Sequence, residues 1–427
     1  MSAAAPGPLT RRRLLAAGSG LALAGCAAPA ARGPRLGRVV VVGGGFGGAT
    51  AAHYLKHWGG DALEVVLVER EPQFLSCPMS NLVIAGLAEP ASLRQGYAGL
   101  RALGVNVLQG EVTGLDPAGR SLQLADGQRL GWDRLVLAPG IGFMTEAVPG
   151  LEQAFATQRA VHAWKAGAQT ELLRRQLQAL PDGGVVLMSI PKAPYRCPPG
   201  PYERACLIAD YLLRTRPRAK LLVLDANPEV QSKRALFERA FAGRYRGVLS
   251  YQPNAELREV AGEVARFEFE EVRADVLNLI PPQRAGDLAL RSGLADVNGR
   301  WVGVDWLSLE ARGAPGVHVL GDALFSAPLM PKSAHLANQQ AKLAAAAILQ
   351  LLRGEAVNPD PLLMNTCYSF FSATEAGHVA SVHRYDPAER LMKAVPGAGG
   401  VSAVASEAEA AYARGWAANI WADSLAL

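Results

Sequence analysis

Arg38-Val39-Val40-Val41-Val42-Gly43-Gly44-Gly45-Phe46-Gly47-Gly48 joins an unbroken apolar run to a glycine-rich turn. The run shows no polar alternation, as expected of a parallel strand covered on both faces. Beyond the turn, residues 49–57 carry a helical pattern. Gly43, Gly45 and Gly48 stand at the three glycine positions of a dinucleotide fingerprint: a tight turn, close approach to a pyrophosphate, and close helix–strand contact. Twenty-one residues past Gly48, a second apolar strand over residues 64–69 ends in Glu69, an acid placed to bind ribose hydroxyls. Strand, glycines, helix, strand and acid in this register predict a Rossmann-type α/β unit.

Two distant segments add to this unit. Leu135-Val136-Leu137-Ala138-Pro139-Gly140 is a buried strand ending in a turn of small residues, and Val317-His318-Val319-Leu320-Gly321-Asp322-Ala323 is a short strand ending in Gly-Asp. The pairing resembles the FAD-dependent pyridine nucleotide–disulfide reductase superfamily, which implies that Asp322 binds the flavin ribitol and that Ala138 and Gly140 lie against the cofactor. Residues 333–352 read as a long helix, capped by Ser333 and closed by Gly354. With its N-terminus at the flavin, its dipole would favour the anionic reduced form.

A second unit starts at the strand 183–188, has its partner strand at 220–225, and carries a helix over 201–213 between them. A nicotinamide-binding unit would place a second glycine fingerprint after the first of these strands. The chain instead reads Ser189-Ile190-Pro191-Lys192-Ala193-Pro194-Tyr195-Arg196-Cys197-Pro198-Pro199-Gly200. Such a rigid loop cannot offer successive backbone N–H groups to a pyrophosphate. The expectation is a lost nicotinamide site and an electron acceptor of another kind.

Past Cys26, the chain has Cys77, Cys197, Cys206 and Cys367, none in C-x-x-C or C-x-x-C-H spacing. The chain is therefore expected to attach no haem c of its own and to bind no metal; a cysteine pair would have to be long-range. The segments Ser76-Cys77-Pro78-Met79, Arg196-Cys197-Pro198-Pro199-Gly200-Pro201-Tyr202-Glu203, Met330-Pro331-Lys332-Ser333 and Asn365-Thr366-Cys367-Tyr368 resemble the flavoprotein subunit of flavocytochrome c sulfide dehydrogenase. The likeness runs from about residue 37 to the C-terminus.

The resemblance implies that Cys77 carries FAD through a thioether and that Cys197 and Cys367 form a redox-active disulfide. It also implies that Glu203 is the active-site acid, and that Lys332 and Trp416 belong to the cofactor surroundings. Two departures stand out: Pro78-Met79 replaces a bulkier pair, and Leu324-Phe325 with an extra Leu329 alters the segment after Asp322. Hydrosulfide is a soft nucleophile that can attack a disulfide, leaving a persulfide and a thiolate. A thiolate near Arg196 would be favoured. Taken as isolated residues, Cys197 and Cys367 also fit a structural pair, Cys77 a core thiol, and Glu203 a helix N-terminal acid. Cys206 reads as a buried free thiol, and His53 and His57 as packing residues.

Half of the 427 residues are hydrophobic and the formal charge is +5. Leaving out Arg11, Arg12 and Arg13 brings it to about +2, and no basic stripe with interleaved aromatics follows, which argues against nucleic acid. Those arginines, ahead of a short apolar run over 14–25, read as a twin-arginine export signal, hence a periplasmic protein exported folded. Leu23-Ala24-Gly25-Cys26 fits a lipoprotein cleavage site equally with an ordinary one, so a lipid on Cys26 is the one membrane contact expected.

The expected fold class is α/β: two Rossmann-like dinucleotide-binding domains of the glutathione reductase type with a C-terminal α+β interface domain. The expected domains are 1–35, export signal and linker; 36–150 with 286–356, the FAD domain; 151–285, the second unit; and 357–427, carrying Cys367 and the partner surface. The expected function is oxidation of sulfide to sulfur or polysulfide, with electrons passed to a c-type cytochrome subunit that carries the haem. The competing readings are a sulfide:quinone oxidoreductase, an accessory flavoprotein of a thiosulfate-oxidising system, and a non-catalytic cofactor-binding subunit.

Overall fold

The structure, a computed structural model, describes residues 35–427, of which Leu36–Leu427 form one unit. The export and lipidation expectations, on Arg11–Arg13 and Cys26, lie outside the described residues.

In chain order the principal elements are β1 (Gly37–Val42), α1 (Phe46–Gly59), β2 (Leu63–Glu69), α2 (Ser80–Ile84), β3 (Asn106–Gln109), β4 (Arg134–Leu137), β5 (Ala160–Val161), β6 (Val185–Ile190) and α3 (Gly200–Thr215). There follow β7 (Lys220–Asp225), α4 (Arg234–Ala242), β8 (Leu249–Gln252), β9 (Val276–Leu279), β10 (Val317–Val319), α5 (Ala334–Arg353), β11 (Leu362–Phe370), β12 (Ala376–Asp386), β13 (Leu391–Val401) and α6 (Glu407–Leu425).

Two parallel five-stranded sheets organise the molecule. The first has the order β10-β4-β1-β2-β3, so strands from residues 37 and 317 lie in one sheet. Val39 to Val41 and Leu135 to Leu137 are fully buried, as the apolar runs require. The second sheet, β5-β9-β6-β7-β8, is built the same way from residues 160 to 279. A third, antiparallel sheet, β11-β12-β13, carries Cys367 opposite Val379 and is followed by α6.

Two glycines are obligatory at the first turn. Gly43 has φ +96°, and a Cβ there would stand 2.5 Å from the Ala138 carbonyl oxygen. A Cβ on Gly48 would meet the Gly43 carbonyl oxygen at 1.7 Å. Any side chain would drive α1 off the strand, which is why the helix begins where it does.

Helix α5 is capped as its sequence predicts. Ser333 Oγ accepts from Leu336 N at 3.0 Å, and Gly354 closes the helix with φ +72°. Cys206 is fully buried in α3, and burial pushes its thiol pKa up, in keeping with an inert core cysteine. His53 Nδ1 lies 2.6 Å from the Asp423 carbonyl oxygen, and among the described residues no group of three or more His, Cys, Asp or Glu could hold a metal ion.

Candidate functional site

The C-terminal ends of both parallel sheets open onto one cleft, the place where open α/β sheets bind ligands. It encloses about 1380 Å³ of space outside the protein atoms, counting its mouth.

The structure brings nine of the sequence-derived site residues to this cleft. Gly45, Ala138, Gly140 and Asp322 line it from the first sheet, and Cys77, Cys197, Glu203, Cys367 and Trp416 from the surrounding loops and helices. Gly43 and Gly48 shape the turn beneath it rather than lining it. Glu69, at the end of β2, accepts from the Gly44 N–H at 2.5 Å and the Glu71 N–H at 2.8 Å, so its carboxylate braces the turn. Lys332 is not on the cleft wall. Its ammonium donates to the carbonyls of Asp322 (3.0 Å) and Leu324 and sits 3.8 Å from the Trp301 ring centre. It pins the turn that presents Asp322, and burial brings its pKa down to about 7.

The residues fit a flavin dinucleotide. The N-terminus of α1, at Gly45 and Phe46, has neither a side-chain cap nor an acid in its first turn, which leaves its N–H groups for a phosphate. Asp322 Oδ1 is buried without a hydrogen-bond partner, which a ribitol hydroxyl would supply. The N-terminus of α5 opens on the same cleft through Ser333, Ala334 and His335. The extra Leu329 is 86% exposed with φ +62°, so the altered loop bulges into solvent and leaves Asp322 in place.

Cys77 precedes α2 in a tightly tied loop. Ser76 Oγ donates to the Pro78 carbonyl at 2.9 Å and receives the Trp421 indole N–H at 2.9 Å, so the C-terminal helix α6 holds this segment down. Arg196 donates to the Trp164 carbonyl and interacts electrostatically with Cys77. Burial opposes its charge, but Cys77, Asp322 and Cys197 outweigh this and raise its pKa.

Cys197 follows β6 on the proline-framed loop, at φ +57°, and its N–H donates to the Lys332 carbonyl at 2.9 Å. Cys367 comes from β11, on the same inward face as Leu363 and Asn365. The two thiols, 170 residues apart in the chain, line this one cleft, both free, and each shifts the other's pKa. The Cys367 thiol and burial raise the Cys197 pKa, while Cys197, aided by Lys233, brings Cys367 down to about 7.

Glu203, in the first turn of α3, accepts from Asn81 Nδ2 at 2.7 Å and the Phe370 N–H at 2.8 Å. Burial raises its pKa against those two hydrogen bonds, so it keeps its proton to a higher pH than an ordinary carboxyl. Asn81, His335 and Lys233 are site residues that reading the sequence misses. Asn81 signals itself only as the neighbour of a cysteine loop, and Lys233 has no motif at all.

The second unit has spent its counterpart of Glu69. Asp225, at the end of β7, accepts from Tyr202 OH (2.7 Å), Tyr251 OH (2.9 Å), the Asn227 N–H (2.9 Å) and Asn227 Nδ2 (2.6 Å). Little acceptor capacity is left for a ribose.

Comparison with known proteins matches three segments of the chain to families. Residues 37–178 match the pyridine nucleotide-disulphide oxidoreductases, 170–281 the central part of the sulfide dehydrogenase [flavocytochrome c] flavoprotein chain, and 359–425 the flavin-binding part of flavocytochrome c sulphide dehydrogenase. The sulfide dehydrogenase [flavocytochrome c] flavoprotein chain of Chlorobaculum thiosulfatiphilum is 54% identical over 46 residues, 11% of this chain and 94% of that sequence. The mitochondrial sulfide:quinone oxidoreductase of Mus musculus is 27% identical over 300 residues, 66% of this chain and 65% of that protein, just under two thirds of its length. The crystal structure of the sulfide:quinone oxidoreductase of Aquifex aeolicus superposes with a TM-score of 0.75 at 19% identity, over 91% of each chain, and shares the fold. With the flavin cleft and both halves of the cysteine pair in place, the chain belongs to the sulfide dehydrogenase flavoprotein-chain family, within the pyridine nucleotide–disulfide oxidoreductases.

Proposed function

We propose that this protein oxidises sulfide at the Cys197/Cys367 couple and passes the electrons through FAD to a c-type cytochrome. The observation that carries the reading is the meeting of those two cysteines, one from the loop after β6 and one from β11, on the wall of the flavin cleft. In the oxidised couple, hydrosulfide attacks one sulfur, forms a persulfide there, and leaves the electron pair of the broken S–S bond on the other as a thiolate. Glu203, protonated over a wider range than a surface carboxyl and lining the same cleft, would exchange a proton with the couple. Phe74, Met79 and Trp416 give the cleft apolar wall area that limits water around the thiolate. FAD, when bound, supplies acceptance of an electron pair and its release one electron at a time. Cys77 would carry it covalently, and Asp322, Gly45 and the N-termini of α1 and α5 would hold it.

The tied-up Asp225 and the proline-framed loop argue against a nicotinamide acceptor. An acceptor outside the chain, on a cytochrome subunit in the periplasm, agrees with the family and with the twin-arginine reading of Arg11–Arg13. The likeness to sulfide:quinone oxidoreductases supports a second reading, a quinone acceptor. Among the described residues no helix is long and apolar enough to cross a membrane.

Anaerobic titration of the flavoprotein with sulfide, followed by either cytochrome c or a short-chain quinone, tests both readings. Bleaching of the flavin and its recovery with cytochrome c is the expected course. Recovery with quinone alone would shift the acceptor, and no bleaching would remove sulfide oxidation itself.

A further inference from the structure

The loops that follow β6 and β7 leave the second sheet at the same edge. The first delivers Cys197; the second delivers Lys233, which plays no part in the chemistry described so far. Lys233 is 5% exposed and sits at φ +53°, a left-handed conformation that L-residues other than glycine pay for. Its ammonium crosses to β11 and donates to the Cys367 carbonyl oxygen at 2.8 Å. A buried ammonium is costly unless anions compensate it, and the groups that support the charge of this one are Cys367, Cys197, Glu203 and Glu409. Two unfavourable features, a strained backbone and a buried charge, thus meet at a side chain bonded to the backbone of Cys367.

We propose that Lys233 is a positioning cation of the Cys197/Cys367 couple, holding β11 by the Cys367 carbonyl and favouring the thiolate that forms when the S–S bond opens. This rests on the couple being redox-active, as in the proposed function. The step is balanced: hydrosulfide supplies the new S–S bond, the old one breaks, and its electron pair stays on the leaving sulfur as a thiolate, which the Lys233 charge favours. The directions agree. Burial lowers the Lys233 pKa while the two cysteines and Glu203 oppose that fall, and Lys233 in turn helps Cys197 hold Cys367 at about 7. Glu203 works against the thiolate, and Arg196 and Arg204 interact with Cys197, so the pair titrates in a field of mixed sign. A cation that stabilises the thiolate also makes the disulfide easier to reduce.

The test uses the flavoprotein, reduced and kept anaerobic. Alkylation rates of Cys197 and Cys367 are followed peptide by peptide by mass spectrometry across pH, in the unaltered protein and in Lys233→Met, Lys233→Asn and Lys233→Arg. Asn tolerates the left-handed backbone, so one charge-free variant keeps the local conformation. The expected result is an apparent thiol pKa raised by about one unit or more in Met and Asn, and restored in Arg. An unchanged pKa in Lys233→Asn, with its melting temperature retained, overturns the proposal. Sulfide bleaching of the unaltered protein is read separately, so failure of the sulfide reading and failure of the Lys233 role cannot be confused.

Discussion

Arg196 reaches three functional groups at once: the Cys77 thiol, the Asp322 carboxylate and Cys197. Cys77 lines the flavin cleft, and a thioether to the flavin needs its sulfur. Cys77→Ser is therefore expected to bind FAD yet release all of it into the supernatant on acid denaturation, whereas the unaltered protein keeps yellow flavin on the Cys77 peptide. Flavin in the supernatant of the unaltered protein would return Cys77 to a plain lining residue. Lys332 gives a prediction with a sign. Its folded pKa of about 7 lies below that of a free lysine, so between pH 7 and about 10 the unfolded chain binds the extra proton and stability rises with pH. Lys332→Met lacks that slope. The stability gap between the two proteins, read from denaturant melts, should therefore move in favour of the unaltered protein as pH rises through this window. A gap that stays constant would mean that Lys332 remains charged throughout, held by its two carbonyls and the Trp301 face.

Elements whose information is contiguous are legible in the sequence, and those assembled across distance are not. Residues 38–48 announce strand, turn and helix because Gly43 and Gly48 are forced by atoms of the same turn. The caps of α5 read as clearly, since Ser333 and Gly354 act on their own helix. Lys332 shows where adjacency misleads: next to a helix N-terminus on the cleft, its side chain turns the other way, into the loop carbonyls. Lys233 shows the other failure, because a left-handed residue before α4 carries its side chain to a strand more than a hundred residues on, and no local pattern records this. The same long-range logic governs α6, whose Trp421 holds Ser76 beside Cys77. Trp421→Phe removes that hydrogen bond at a cost of about 1 kcal/mol. The fraction of chains carrying covalent flavin is expected to fall, measured by flavin fluorescence on a denaturing gel, with FAD binding itself retained. At the second sheet, the four hydrogen bonds on Asp225 predict that NADH neither binds nor bleaches the flavin. Bleaching by NADH as fast as by sulfide would contradict this.

For the whole molecule, the way electrons leave is the decisive question, and the arrangement of α5, β11 and α6 bears on it. His335, Tyr368 and Trp416 line the flavin cleft on one side and a second surface depression on the other, where Lys342, Tyr412 and Asp423 join them. Tyr368 and Trp416 lie 6.3 Å apart, His335 and Trp416 likewise, and Tyr412 is 63% exposed. These aromatic side chains thus form a wall shared by the cleft and the surface depression, and aromatic side chains at such a surface commonly anchor a protein partner. If a cytochrome takes the electrons here, Tyr412→Ala, at a residue that lines the depression and not the flavin cleft, should weaken its docking by about 1–2 kcal/mol, roughly a tenfold rise in the KM for cytochrome c. Reduction of the flavin by sulfide depends on Cys197 and Cys367 and should change far less. The split between the two half-reactions is the readout, because a general loss of folding would lower both. Equal loss of both half-reactions, or unchanged reoxidation, would place the exit elsewhere, and reoxidation by quinone that survives Tyr412→Ala would favour the quinone acceptor over the cytochrome.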